Sequence, residues 1–376
     1  MQYGRRFWTD GDWYLRSSLD DSLTPSIPSA PSTPAAPPTP SAPLYQPGVP
    51  VYESYANILQ SFNTLGTLQQ RVGNRSWAAA PGRASNVGTL ANGTIEGNGV
   101  WARMEASHGS FDPKESTSRA NYDLDTWRLQ VGVDKLLHEA PEGSLIAGLS
   151  ANYGTVSAGI DSIYGNGKIS TTGYGLGAAT TWYGNSGFYV DGQAQATWYD
   201  SDLSSRMAGV GTLARGNNAF GYGLSLEAGQ RIALDAKWSV TPQAQLAYSS
   251  VDFDRFIDPF GAQISLDRSN NLTGRLGVTL NYQNETHDAG GVIDRSNVYG
   301  IANVYYDFMD GARTDVAGTT FINKNEPLWA GVGVGGSYNW SRDKYSLYGE
   351  TSVKTSMANF GDSYAMTAMV GLRVRW

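Results

Sequence analysis

Cysteine is absent from this sequence of 376 residues, and histidine is rare. The absence of cysteine excludes disulfide bonds, thiolate metal sites and a cysteine nucleophile, and it is consistent with an exported protein. The three histidines, His108, His138 and His287, are too isolated for a zinc motif or a nucleophile–base set. The sequence therefore predicts no metal site and no cofactor, and it does not favour an enzyme.

Concentrated charge and long apolar runs are also missing. Charged residues form 16% of the chain, and the formal net charge of −7 is dispersed along it. A nucleic-acid-binding protein would carry a concentrated basic patch, so this class is excluded. No apolar run approaches the length of about 18 residues that a transmembrane helix needs.

The N-terminal part of the chain does not look like a folded domain. Arg5 and Arg6 are followed by no apolar core, so there is no secretory signal, and we expect a C-terminal piece of a longer exported precursor. Residues 1–23 include a short strand-like run, Asp12–Ser17, which reads as the end of a preceding β domain. Residues 24–50 hold ten of the 16 prolines and predict an extended linker.

Residues 51–77 form the longest segment with a helical pattern. Apolar residues recur there at spacings of three and four, which places on one face Tyr55, Ile58, Phe62, Leu65, Leu68 and Val72. A helix over residues 51–73 would be about 34 Å long, close to the height of a membrane. We expect it to pass through a barrel formed by residues 78–376. A helix on the outside of a soluble β domain is the alternative.

From Gly97 to the end, apolar residues follow a period of two, most clearly in Phe188–Tyr199. Twelve such segments begin near residues 98, 121, 144, 168, 186, 216, 237, 270, 297, 328, 343 and 363. The gaps between them alternate roughly between short and long, as expected for periplasmic turns and extracellular loops. The pattern predicts an all-β membrane protein: a twelve-stranded antiparallel transmembrane β-barrel with an N-terminal α-helix threaded through its lumen.

Aromatic residues and glycine are abundant, at 12% of the chain and 45 residues respectively. This composition is typical of a membrane barrel, whose alternating faces cancel in any hydropathy average. Interfacial girdles are expected near the strand ends, where aromatic residues cluster: Trp182, Tyr183, Trp198, Tyr199, Tyr306, Phe308 and Trp340.

Charged residues on the predicted inward faces are the candidate lumenal residues, because such charges are costly against lipid. We expect some to contact the helix among Arg103, Glu105, Arg128, Asp134, Asp191, Glu227, Arg231, Arg275, Glu350, Lys354, Arg373 and Arg375. A polar lumen alone would equally suit a porin-like channel.

The last strand ends in an aromatic residue and has one continuous apolar face. This arrangement resembles the outer-membrane insertion signal of bacterial barrel proteins, with candidate residues Tyr364, Val370, Leu372, Val374 and Trp376.

Several short motifs together carry a more specific resemblance. In order they are Gly11–Ser17, the proline-rich hinge, Tyr45-Gln-Pro, Leu68–Gly73, Trp101-Ala-Arg103, Ser225–Gly229, Thr241–Tyr248 and the terminal Gly-Leu-Arg-Val-Arg-Trp. The chain resembles the C-terminal translocator unit of a classical monomeric autotransporter, of the type V secretion family. Residues 1–23 would then be the remnant of the passenger domain, 24–50 the linker, 51–77 the lumenal helix and 78–376 the translocator barrel.

The resemblance implies a monomer in the outer membrane of a Gram-negative bacterium, in contact with lipid, that supports export of its own passenger and anchors it at the cell surface. Barrel-assembly machinery and periplasmic chaperones are the implied partners. Some family members cut their linker helix at an asparagine pair, but the matching positions here are Gly66 and Thr67. Asn57 and Asn63 remain candidate cleavage sites, so a self-cleaving barrel stays open as an alternative, as does a porin-like channel.

Overall fold

The computed structural model describes residues 45–73, 98–287 and 293–376. The predicted passenger remnant, most of the proline-rich linker and the segment 74–97 lie outside these described residues. Most of the described residues form strands. A helical segment precedes the first strand.

Twelve long strands form one closed antiparallel barrel. They are β1 (Gly99–Phe111), β2 (Asn121–Ala140), β3 (Gly143–Asp161), β4 (Gly167–Gly184), β5 (Phe188–Ser205), β6 (Thr212–Gln230), β7 (Trp238–Phe253), β8 (Ser269–His287), β9 (Ile293–Asp307), β10 (Leu328–Trp340), β11 (Tyr345–Ser356) and β12 (Tyr364–Arg375). Each strand pairs with its neighbours in sequence, and β12 pairs with β1 from Gly99 opposite Arg375 to Ser110 opposite Tyr364. The predicted twelve-stranded barrel is confirmed.

The connections differ in length at the two ends of the barrel. One end, the turn end, carries the short connections after β2, β4, β6, β8 and β10, together with the start of β1 and the end of β12. The opposite end, the loop end, carries the connections that include residues 254–268 and 308–327. At the turn end a two-residue strand, Ile232–Ala233, pairs with β7.

The outer surface of the barrel is an apolar belt between aromatic residues. Phe188 and Trp198 both face outward on β5, ten residues apart (198 − 188), with exposures of 42% and 41%. At about 3.3 Å per residue and a tilt of about 40°, they are separated by about 25 Å along the membrane normal, the height of a membrane-spanning band. The aliphatic residues exposed at this level include Leu176, Leu224, Leu226, Leu246, Leu276, Val278, Val332 and Val334.

Aromatic pairs mark both edges of the belt. Near the loop end these are Tyr174–Trp198, Trp198–Phe220 and Tyr306–Phe308, and near the turn end Trp238–Tyr282 and Tyr338–Trp340. Two expected girdle residues, Tyr183 and Tyr199, are only 2% exposed. They alternate with outward neighbours on the pleated strand and therefore face the lumen.

Three of the loops build a second, smaller sheet at the loop end. Its five strands, in order, are Phe256–Ile257, Gln263–Leu266, Ala312–Val316, Thr319–Lys324 and Glu115–Ser116. We call it the loop sheet. It was not predicted from the sequence, because its short strands pair with partners far away in the chain, such as Lys324 with Glu115.

We call the described residues 45–73 the lumenal segment. It forms two helices, α1 (Val49–Phe62) and α2 (Leu68–Val72), and not the single helix that we expected. Gly66 lowers helix propensity at the break, and Thr67 starts a new helix in a capping box with Gln70. The predicted positions 74–77 lie outside the described residues. No described helix has the length and apolar character that a membrane crossing requires.

Candidate functional site: the lumen and its helical segment

The lumenal segment runs through the barrel in one defined direction. Tyr45, just before α1, packs edge-on against Tyr164 of the β3–β4 loop, with ring centroids 4.8 Å apart. Beyond α2, the Tyr348 hydroxyl near the start of β11 donates to the backbone oxygen of Arg71 at 2.9 Å. The chain therefore enters at the loop end and reaches the turn end, where β1 begins.

Helix α1 lies in an apolar core at the loop end. Thirteen of its 14 residues are buried, all except Ser61. Its side chains belong to the same buried cluster as apolar residues of the strand ends and of the loop sheet: Ile160, Ile169, Leu203, Val251, Ile264, Val316 and Phe321. Truncating one such buried aliphatic side chain typically costs about 2–5 kcal/mol, so this core holds α1 firmly and excludes water around it.

Polar groups of α1 also bind the loops. The Tyr52 hydroxyl donates to Asp258 at 3.1 Å, and Asn57 Nδ2 donates to Asn323 Oδ1 at 2.5 Å. Glu53 accepts hydrogen bonds from the Ser116 hydroxyl at 2.6 Å and the Ser118 backbone N–H at 2.8 Å. These partners lie in loops, beyond the membrane-spanning part of the strands.

Burial changes the acidity of two of these groups. It raises the pKa of Tyr52 above its ordinary value, and the adjacent Asp258 carboxylate adds to the rise. Burial also raises the pKa of Glu53, while the hydrogen bonds from Ser116 and Ser118 oppose that rise. The folded environment thus disfavours ionisation of Glu53 relative to water.

Between the helices, barrel side chains satisfy the backbone carbonyls that the break leaves free. Arg128 donates to the oxygens of Phe62 and of Thr64, the latter at 3.1 Å. Gln195 donates to the oxygen of Asn63 at 2.9 Å, and Gln193 donates to that of Gly66 at 3.0 Å. Backbone carbonyls without a hydrogen-bond partner are costly inside a barrel, so these inward side chains of β2 and β5 stabilise the break.

Helix α2 is held by buried charges. The Arg71 guanidinium donates to Asp191 at 2.6 Å and to Thr181 at 3.0 Å, and lies 3.9 Å from Asp134. At the other terminus, the Leu68 N–H donates to Glu227 at 3.2 Å. A carboxylate at this position suits the first turn of a helix, where backbone N–H groups lack helical partners.

Two further hydrogen bonds connect α2 to the barrel. Gln70 donates to Glu350 at 2.7 Å, and Arg373 donates to the backbone oxygen of Val72 at 3.1 Å. The lumenal segment therefore directly contacts six of the predicted charged residues: Arg128, Asp134, Asp191, Glu227, Glu350 and Arg373.

For three other predicted lumenal residues, the described partners are barrel side chains. Arg275 pairs with Glu227 at 3.1 Å, and Arg103 donates to Gln130 at 2.8 Å. Lys354 lies 5.4 Å from the ring centres of both Tyr305 and Trp329.

The remaining three predicted residues have the following positions. Arg231 donates to Ser239 at 3.1 Å and Gln283 at 3.2 Å. Arg375 lies 3.5 Å from the backbone oxygen of Arg342 at the turn end. Glu105 is partly buried on β1.

Several contact residues were missed by counting only charges. They include Gln193, Gln195, Tyr199, Tyr299 and Tyr348, which hold either the segment or the carboxylates that bind it. The sequence did contain a signal for them. Gln193, Gln195 and Tyr199 share the two-residue period of Asp191 on β5, so they occupy the same inward face.

The two asparagines proposed as cleavage sites are both bound to the barrel. Asn63 Nδ2 donates to the backbone oxygens of Tyr222 at 3.0 Å and Ser250 at 3.3 Å. Its Oδ1 accepts from the Tyr199 hydroxyl at 3.0 Å. Among the hydrogen-bond partners described for Asn57 and Asn63, there is no carboxylate.

The candidate insertion signal lies on the outer face of β12. Val370, Leu372 and Trp376 are 50%, 46% and 70% exposed, whereas Tyr364 and Val374 are partly buried. His108 lies near the other end of this strand, where it pairs with Asp125 at 2.7 Å on the exposed surface. Within the described ranges, no group of three or more potential metal-ligating side chains occurs.

Comparison with known proteins gives matches over most of the chain. The sequence profile described as "Autotransporter beta-domain" matches residues 100–352. The chain is 51% identical over 367 residues to the "Adhesin BmaC autotransporter" of Brucella suis biovar 1 (strain 1330), which covers 98% of this chain and 10% of that protein. The chain therefore spans about a tenth of the length of this curated relative.

Two solved structures are similar in fold. The transport unit of the autotransporter AIDA-I from Escherichia coli has a TM-score of 0.67 at 15% identity, covering 88% of this chain and 100% of that one. The translocator domain of NalP from Neisseria meningitidis has a TM-score of 0.54 at 14% identity, covering 78% and 90%. At these identities the likeness concerns the fold alone.

Proposed function

This chain belongs to the autotransporter family and is its outer-membrane translocator β-domain, and from this premise we propose how it exports and then retains a passenger. An N-terminal passenger is implied by membership of the family. In our proposal the passenger passes to the cell surface during barrel assembly, and α1 and α2 then remain in the lumen as its plug and tether.

The direction of the lumenal segment carries this proposal. Tyr45 lies at the loop end and Val72 near the turn end, so any chain upstream of residue 45 continues from the loop end. The loop end faces the outside in an outer-membrane barrel with short periplasmic turns. A passenger joined there stays connected to a barrel that is itself fixed in the membrane.

We divide the chain accordingly. Residues 1–23 are proposed as the passenger remnant, 24–50 as the linker, 51–77 as the lumenal linker helix and 78–376 as the translocator domain. In this division the twelve charged residues named above line the route or its mouth, and the six that contact the segment fix its final position.

A reporter experiment tests the proposed export. A small folded epitope domain is fused before Met1, and the protein is produced in a Gram-negative host. Protease added to intact cells should remove the reporter. It should also remove a control epitope inserted between Gly209 and Val210 in the β5–β6 loop, at the loop end. An epitope inserted between Ala236 and Lys237, at the turn end, should resist until the outer membrane is opened. A reporter that remains protected with a correctly oriented barrel would reject the proposal.

We propose that the domain acts without chemistry of its own and that the lumenal segment stays uncut. The support is that Asn57 and Asn63 engage amide, hydroxyl and backbone groups with no described carboxylate partner to assist attack. Intact mass spectrometry of the purified chain tests this directly. Cleavage after either asparagine would give a barrel fragment beginning at residue 58 or 64, and finding it would favour the self-cleaving alternative.

Insertion is proposed to depend on the barrel-assembly machinery and on periplasmic chaperones, with the outward face of β12 as the recognised signal. Its candidate residues are Tyr364, Val370, Leu372, Val374 and Trp376. Trp376→Ala should lower the amount of folded barrel in outer-membrane fractions without changing synthesis. An unchanged amount of folded barrel would remove Trp376 from the signal.

Adhesion is proposed as the activity of the complete protein. The support is the 51% identity to a relative that is named an adhesin. To measure adhesion, the attachment of cells to host surfaces is compared between cells that display the full-length protein and cells that display only residues 1–376. Equal attachment would refute a contribution from the passenger.

A further inference from the structure

The break between α1 and α2 sits in a recess of the barrel wall that is shaped to receive it. Four inward glycines on β3, β4 and β6 line this recess: Gly154, Gly173, Gly221 and Gly223. We name these four residues, together with Arg128 and Tyr199, the socket. Its occupant is the segment Phe62–Leu65.

The glycines are needed because the occupant approaches the wall closely. A Cβ atom at Gly173 would lie 2.7 Å from Phe62 Cε1, and one at Gly154 would lie 2.9 Å from Phe62 Cζ and 2.5 Å from the Trp127 backbone oxygen of the wall itself. Real Cβ atoms essentially never approach other atoms this closely, so only glycine leaves room for the Phe62 ring at its present depth.

The fit is tight, though less strict, along the rest of the segment. A Cβ atom at Gly221 would lie 2.9 Å from Tyr199 Cε2 and 3.1 Å from Asn63 Cγ, and one at Gly223 would lie 3.2 Å from Leu65 Cδ1. Two strands therefore fit Phe62, and a third strand fits Asn63 and Leu65. A flat or merely wide pore would not need this match between successive wall glycines and successive side chains.

Polar contacts fix the occupant in the socket. The Arg128 guanidinium lies 5.2 Å from the Phe62 ring centre and also donates to the oxygens on either side of Asn63. Tyr199 packs on Phe62 with centroids 5.7 Å apart and donates to Asn63 Oδ1 at 3.0 Å. Shape and hydrogen bonding thus recognise the same two side chains.

We propose that the socket is the register stop of the translocator: it recognises Phe62-Asn63 and fixes how far the chain has moved when export ends. This inference rests on the proposed export of an upstream passenger. The adjacent α1 and α2 contacts then stabilise a register that the socket selects. Movement by one helical turn, about 5.4 Å, would take Phe62 off its glycines and Asn63 off its hydrogen-bond partners.

The absence of native cysteine allows the register to be read by disulfide formation in the full chain. A Cβ atom at Gly167 would lie 2.3 Å from Val51 Cγ2, so cysteines replacing Val51 and Gly167 are close enough to bond in the observed register. The same Cβ would lie 2.6 Å from the Ser204 backbone oxygen, which must shift, so the folding of each cysteine variant is verified first. Cysteines replacing Ser54 and Gly167 report a shift of nearly one turn, because residues three apart share a helix face. Both pairs lie outside the socket.

Phe62→Ala with Asn63→Ala is the principal variant, and Ser61→Ala is its control, since the described hydrogen bond of the Ser61 hydroxyl is to the backbone oxygen of Asn57 within α1. In the principal variant, the ratio of native-pair to offset-pair cross-linking should fall about tenfold or more, because losing about 1–2 kcal/mol shifts the ratio of two states five- to thirtyfold. The offset pair should then cross-link. The control should behave as the unmodified chain.

Gly173→Ala fills the socket from the wall and leaves the occupant unchanged. It should also reduce native-pair cross-linking, in barrels whose folding is verified by heat-dependent migration in gels. Full native-pair cross-linking in both the Phe62→Ala/Asn63→Ala variant and the Gly173→Ala variant would overturn the register stop. Display of the reporter at the cell surface is measured in the same cells. If the unmodified chain does not display the reporter, the proposed export is rejected. If the variants display it normally and keep the native register, only the role of the socket is rejected.

Discussion

At the scale of single residues, buried charge determines how firmly α2 is held. Arg71 has a side-chain exposure of 5%, and its partner Asp191 has none. Arg71→Ala would leave Asp191 buried without its cationic partner, which typically costs about 3–5 kcal/mol. Hydrogen exchange should therefore show a comparable loss of protection for the amides of residues 68–72.

The exposed pair Arg268–Asp252 provides the matched control for that change. Its side chains are 56% and 50% exposed, and such surface pairs contribute about 0–1 kcal/mol. Arg268→Ala should leave the protection of α2 unchanged. Equal effects of the two substitutions would mean that the lumen around Arg71 is as well solvated as the outer surface.

Glu53 makes the docking of α1 dependent on pH. Burial raises its folded-state pKa above the ordinary value of 4.5. Because the folded form then binds the proton more tightly than the unfolded form, this contribution to stability is fully present below pH 4.5 and is lost as the pH rises through the folded-state pKa. Protection of residues 49–62, corrected for intrinsic exchange rates, should be weaker at neutral pH than in acid.

Glu53→Gln isolates the responsible group, because it removes the titration and keeps a similar shape. The pH dependence of α1 protection should become flatter in this variant. An undiminished dependence would assign the effect to a group other than Glu53.

Sequence patterns identified the charged residues at this scale better than the neutral ones. Inward charges such as Asp191 and Glu227 are conspicuous because lipid excludes them. Gln193 and Gln195 follow the same period, but an amide is compatible with many environments, so its role depends on which backbone oxygen lies opposite. That information comes from the path of the lumenal segment, which local spacing does not contain.

At the scale of elements, α1 depends on the barrel for its structure. It contains Val, Ile, Tyr and Phe, and the residue before it makes no side-chain cap. Isolated helices shorter than about 12–15 residues are marginal even with better sequences. A peptide of residues 45–73 should therefore show little helical circular dichroism in water.

This prediction matters for export, because a segment without stable helix can pass a narrow lumen as extended chain. Trifluoroethanol provides the positive control, since it induces helix in a competent sequence. A strongly helical spectrum in water would mean that α1 forms before docking. The socket would then receive a preformed helix end.

The strands were the most predictable elements, and the break and the loop sheet the least. Period-two alternation is clear in barrel strands such as β5, so all twelve were recognised. Apolar spacing of three and four continues from Phe62 to Leu65 and Leu68, which concealed the break. The strands Glu115–Ser116 and Thr319–Lys324 pair across about 200 positions of sequence, and no local pattern indicates such a partner.

At the scale of the whole molecule, the lumen has two chemically different parts. The loop end closes around α1 with an apolar core, and the membrane-level part binds the break and α2 through charges and amides. The apolar part excludes water, whereas the polar part fixes the position of the lumenal segment in the barrel. A plain channel has no use for either arrangement around a filled lumen.

Ion conductance tests this organisation in one measurement. In planar bilayers the complete chain should show low or flickering current, because α1 and its apolar surroundings block the loop end. A chain that lacks residues 1–77 should form a large and steady pore, since a twelve-stranded barrel encloses room for about one helix. The truncated barrel must first be shown to fold, by its resistance to protease and its migration in gels before heating. Equal and large conductances for the two folded proteins would place the segment outside the conducting path and would support the porin-like alternative.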